Sequence, residues 1–129
     1  MTTEKSAAVE LTDAMTALVR VLVYATVPPG GPGFTQPGDA HATLGNLSTA
    51  TMGLPQAFRQ IDEFLTGLLA DGRLQVDGGS NAAPRVIEVH SALENAADYA
   101  NALSAALGRA QAALESVSLR DSFQAFAPA

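Results

Sequence analysis

Apolar residues recur along three stretches of this chain at alternating spacings of three and four, the period that lines one face of a helix. In the first stretch the stripe is Ala8, Leu11, Met15, Leu18, Leu22 and Ala25, which predicts a helix over about 6–27. Its second half, Leu18 to Val27, is apolar almost all round and so is expected to be buried on several sides. The valines there also suit a strand. The unbroken stripe from Ala8 and the lack of a second strand-forming stretch favour helix.

The second stripe is Leu44, Leu47, Thr51, Leu54, Phe58, Ile61, Leu65 and Leu68, a heptad seam predicting a helix over about 39–71. Asp39 is the expected N-cap and Asp71-Gly72 the stop. Gly53 and Pro55 interrupt the seam without shifting its phase, which predicts a kink at Pro55 rather than a break. The third stripe has the most regular spacing: Val86, Val89, Leu93, Ala96, Ala100, Leu103, Leu107, Ala110, Leu114 and Val117. It predicts a helix over about 84–119, with Asn81 able to cap it and Pro84 in the first turn, where a missing amide donor costs little. The alanines in that seam let a neighbouring helix come close.

Two stretches separate these helices. Residues 28–38 hold four prolines and four glycines and form a linker. Its only large apolar residue, Phe34, is either pinned on the bundle, the more usual fate of Phe, or offered to a partner. Residues 72–83 form the second connection, whose Leu74 and Val76 are expected to cap the bundle end. The tail, 120–129, is expected to fray, although Phe123 and Phe126 lie three apart and can dock on one side.

At about 1.5 Å per residue the second and third helices each reach roughly 45–55 Å and the first roughly 30 Å. Similar lengths and a short connection predict an antiparallel hairpin. The fold class expected is therefore all-α: an antiparallel bundle of three helices, a long helical hairpin plus a shorter N-terminal helix, in one domain with coiled-coil-like heptad packing. The short helix covers only part of the hairpin, so the remaining apolar surface calls for a second copy or another helical protein. The expected contact residues are Phe34, Leu93, Ala96, Ala100, Leu103, Leu107, Ala110, Leu114, Phe123 and Phe126.

Composition narrows the function classes. Thirteen acidic residues against seven basic ones, with the basic ones scattered singly, disfavour nucleic acid and anionic membrane surfaces as partners. Six of the seven are Arg, as expected from a GC-rich genome. The chain has no cysteine, hence no disulfide framework or thiol chemistry. The longest apolar run, Ala14 to Val27, is interrupted by Arg20 and is too short to span a bilayer. Glu4, Glu10 and Asp13 stand where a signal peptide carries basic residues, so the expected location is cytoplasmic.

Candidate chemistry is sparse. His90, Glu94 and Asp98 share one helix face, a spacing able to hold a metal ion, but one helix supplies few ligands and the face is expected to be solvated. His41 lies near the linker, and Asp62 and Glu63 are expected to point to different faces. No serine lies in a Gly-x-Ser-x-Gly turn, and the glycine-rich linker lacks the Lys-Ser/Thr of a phosphate-binding loop. The expectation is a non-enzymatic helical interaction module without cofactor or metal, a homo-oligomer or a subunit of an assembly. In size, alanine content and hairpin architecture the chain is also similar to small exported substrates of actinobacterial type VII secretion. It lacks that family's Trp-x-Gly bend, and Leu103 stands four residues after Tyr99 where the export signal has an acidic residue.

Overall fold

The computed structural model describes residues 5–27 and 33–120, and among these the chain is all-α, without a strand. Helix α1 spans Ala7–Ala25, α2 Pro37–Met52, α3 Leu54–Ala70 and α4 Ala83–Ala113. The chain divides into two compact units, Met1–Ala40 with Ser118–Ala129, and His41–Val117.

In the first unit, Ser6 caps α1 by accepting a hydrogen bond from the Val9 amide at 3.3 Å. The helix ends two residues earlier than its apolar pattern. Thr26 turns out of it, with its hydroxyl donating to the Leu22 carbonyl at 2.9 Å. Gly33 returns to this end, its amide donating to the Ala25 carbonyl at 2.9 Å. A Cβ at Gly33 would lie 2.8 Å from that carbonyl oxygen, so the close approach requires glycine. No residue of α1 is buried.

Helix α2 starts two residues before the expected position. Pro37 supplies its first turn, and Asp39 sits inside that turn rather than at the cap. The Asp39 carboxylate reaches back to the amides of Thr35, at 2.8 Å, and Gln36, at 3.2 Å, and to the Thr35 hydroxyl. This satisfies donors that a helix start leaves open, as the acidic residue of a capping box does. These bonds, those from Thr35 first, hold the Asp39 carboxyl below its ordinary 3.8.

The seam's second helix is divided at Gly53, two residues before the expected site. Gly53 keeps a right-handed helical backbone, at φ −81° and ψ −16°, so α3 continues from α2. Pro55 lacks the amide that would bond back to Thr51, and one turn of the ladder is lost there. Helix α3 closes in a Schellman arrangement: Gly72 takes φ +68°, its amide bonds to the Leu69 carbonyl, and the Arg73 amide bonds to that of Leu68. Leu74 and Val76 are half-buried in the connection. Helix α4 begins with Asn81 accepting from the Ala83 amide at 3.0 Å and with Pro84 in its first turn. It stops at Ala113, not near residue 119, and the chain continues as turns through Ser116.

Helices α2 and α3 pack against α4 in antiparallel register, because Ser48 meets Ser104 while Asp62 meets His90. Among the described residues, the buried ones are few and small: Ala82, Val86, Ala100 and Ser104. The heptad stripe of α4 separates into two rows. Val86, Leu93, Ala100, Leu107 and Leu114 are buried or half-buried. Val89, Leu103, Ala110 and Val117 are exposed, and Ala96 is half-buried. The second row on the packed face is Ala83, His90, Ala97, Ser104 and Gln111, four residues on rather than three. On α2 and α3 the expected stripe stays together: Leu44, Leu47, Thr51, Leu54, Phe58, Leu65 and Leu68 are half-buried and Ile61 is exposed, with His41, Ser48, Pro55, Asp62 and Leu69 half-buried beside them.

Candidate functional site

The hairpin has two unlike sides, and helix geometry sets which residues each receives. Relative to an inward row, residues four on lie toward one side and residues three on toward the other. In an antiparallel pair, corresponding rows of the two helices fall on the same side.

The four-on side carries an open groove of about 460 Å³ between α3 and α4, lined by Pro55, Phe58, Arg59, Asp62, His90, Leu93, Glu94, Ala97 and Asp98. At its centre the Asp62 Oδ2 lies 2.6 Å from His90 Nδ1, and the Glu94 Oε1 lies 3.1 Å from His90 Nε2. The Asp62 side chain retains only 18% of its exposure, and its Oδ1 is buried without a hydrogen-bond partner. The hydrogen bond and charge of Asp62, followed by the charge of Glu94, raise the His90 pKa above its ordinary 6.5. Arg59, the one cation lining the groove, bonds to Gln56.

Asp62 is half-buried and Glu63 exposed, so the two point to different faces, and the largely exposed His90–Glu94 face gains Asp62 from across the hairpin. This arrangement joins two helices through three side chains. Chemically it is a carboxylate–imidazole–carboxylate chain on a half-exposed ring. The residues lining the groove include no hydroxyl nucleophile. Among the described residues no three His, Asp or Glu side chains are placed to share a metal ion.

The three-on side is apolar. Leu47, Leu54, Ile61 and Leu68 lie there on α2 and α3, and Val89, Ala96, Leu103 and Ala110 on α4. Phe64, at 64% exposure, and Tyr99, at 75%, extend the surface further round each helix. The expected contact residues therefore serve different surfaces. Ala100 is buried, and Leu93, Leu107 and Leu114 are half-buried, all within the hairpin's own packing. Leu103 is 49% exposed, Ala110 is exposed, and both lie with half-buried Ala96 on the apolar side. Phe34 is exposed in the first unit. Phe123 and Phe126 lie outside the described residues.

Helix α1 is a second apolar surface, taken by itself. Val9, Leu11, Met15, Leu18, Val19, Val21 and Val23 are each at least 45% exposed. Despite this, no helix among the described residues is long and apolar enough to cross a membrane.

Sequence reasoning missed two pairs, Asp62–His90 and Ser48–Ser104. One signal for them exists. In an antiparallel hairpin, residues equidistant from the middle of the connection face each other, and both pairs are equidistant from Val76. Comparison of the chain with family models, with curated proteins and with solved structures finds no match.

Proposed function

We propose that this protein is a non-enzymatic helical interaction module that works by protein–protein contact, as a homo-oligomer or as a small subunit of a larger assembly. One observation carries the reading: the regular apolar row through Val89, Ala96, Leu103 and Ala110 lies on the side of the hairpin away from its polar groove and is left largely exposed. Ile61, Phe64 and Tyr99 add exposed apolar side chains on the same side. Apolar patches of this kind on water-facing surfaces mark contact sites. A further helix laid along the row would complete a three-helix, coiled-coil-like bundle, in keeping with the heptad spacing. The helix's source is a second copy or another helical protein. An acidic protein with scattered arginines is suited to a protein partner rather than to nucleic acid. The expected compartment is the cytoplasm.

Size-exclusion chromatography with light scattering tests this. A dimer or larger species is expected, with Leu103→Asp shifting it to monomer while the helical circular dichroism persists. A monomeric wild type whose mass, melting and backbone protection are all indifferent to Leu103→Asp overturns the reading. The hairpin itself favours a second reading, export as a helical hairpin, for which the chain would appear uncleaved in culture supernatant.

A further inference from the structure

We propose that His90 is a proton-operated clasp between α3 and α4, closed when its imidazole is doubly protonated and loosened when it is neutral. This inference is independent of whether the apolar side binds a partner.

The argument starts from Asp62. A carboxylate at 18% exposure, with one oxygen wholly buried and unpartnered, is costly to hold in a helix interface unless a cation or donor meets its other oxygen. His90 meets it, from the facing helix, at 2.6 Å. The second ring nitrogen faces another carboxylate, Glu94, at 3.1 Å. A carboxylate accepts hydrogen bonds and does not donate them, so both ring nitrogens must carry a proton for both contacts to attract. A neutral imidazole has one donor. If that proton stays on Nδ1, the Nε2 lone pair points at the Glu94 oxygen. If it moves to Nε2, the buried Asp62 loses its partner. Deprotonation therefore always turns one attractive contact into a repulsive one, and it also removes the positive charge between two negative ones.

The surrounding charges act in the same sense. The charged groups that line the groove with the ring are Asp62 and Arg59 from α3 and Glu94 and Asp98 from α4. Arg59 is the only cation in this set and is turned to Gln56, at 2.5 Å. The ring thus sits in a mainly negative setting that favours its charged form. Its pKa is raised in the folded chain, so the stabilisation is complete below the unfolded value of 6.5 and is lost as pH rises through the higher folded value. The half-exposed ring keeps access to water, so the proton exchanges without unfolding.

Two measurements test the clasp. The first is the ring proton resonance of His90 followed against pH by NMR, assigned by comparison with His41→Gln. The expected midpoint lies above 6.5 and falls in Asp62→Asn. A midpoint at or below 6.5, or one that Asp62→Asn leaves in place, overturns the proposal. The second is thermal unfolding at about pH 5.5 and about pH 8.5, either side of the ordinary imidazole value. Wild type is expected to melt lower at the higher pH, and His90→Gln to remove that difference. A ring serving only as packing would lower both melting temperatures equally and leave the midpoint unmoved. Should the His90 variant fail to fold, the wild-type and Asp62→Asn titrations still decide the matter.

Discussion

The two ends of the hairpin solve the same packing problem in opposite ways. Where α2 meets α4, small side chains lie beside half-buried Leu44 and Leu107. Ser48 donates to the Ser104 carbonyl at 3.1 Å, Ser104 returns the bond to the Ser48 carbonyl at 3.1 Å, and Gly108 leaves room beside Ser48. A side-chain hydroxyl reaches a facing backbone carbonyl in both directions only if the two helix backbones are close. Ala100, Ser104 and Gly108, spaced by four, provide a groove shallow enough for that approach. Where α3 meets α4, Phe58, Leu93 and the Asp62–His90 pair hold the helices across an open groove. One end is fixed by contact distance and neutral hydrogen bonds, the other by larger side chains and charge. The first is therefore expected to be insensitive to pH and the second to respond to it.

The largest expected effect tests the close end. Ala100→Asp places an unpaired carboxylate at a buried site and should cost about 3–5 kcal/mol, read as a collapse of the denaturation midpoint. A near-normal midpoint would mean that the helices separate there without penalty.

The serine pair comes next. Ser48→Ala and Ser104→Ala should each cost about 1 kcal/mol, and a double-mutant cycle should show that the two losses are not additive. Additive losses would mean that the two hydroxyls act separately.

Raising the pH from about 5.5 to about 8.5 across the imidazole range should then loosen only the wide end. Corrected for its intrinsic pH dependence, amide exchange is expected to quicken around Asp62 and His90 and to hold steady around Ser48 and Ser104. Uniform quickening along α4 would erase the contrast between the two ends.

The smallest stability effect belongs to the apolar side. Leu103→Asp should change the stability of the isolated hairpin by no more than about 0.5 kcal/mol, because the side chain is half-exposed and outside the close packing. A loss of several kcal/mol would place Leu103 in the core after all.

Much of this architecture was legible. The period of three and four gave three helical segments, and Pro84 and Asp71-Gly72 marked ends that the structure keeps within a residue. Helix starts and stops elsewhere moved, each for a local reason. Asp39 bonds backward from inside its turn rather than capping, and the missing Pro55 amide interrupts the second helix at Gly53 without ending it. The candidate site was half legible. The His90–Glu94 spacing stood out as one helical face, but Asp62 belongs to the same cluster only across the hairpin. The apolar seam also read as one surface, although Ala100 and Leu103 serve two.

The sequence by itself determined that the chain is helical, where its helices fall to within a few residues, and that two of them form a hairpin about one connection. These properties follow from neighbours along the chain: side-chain period, proline's missing amide and glycine's open conformations. Tertiary structure alone decided which rows of each helix face inward. A heptad offers two pairs of adjacent rows, and the choice between them depends on how closely the facing backbones can approach. Here the small residues Ala100, Ser104 and Gly108 face in, and the larger Leu103 is left on the outside.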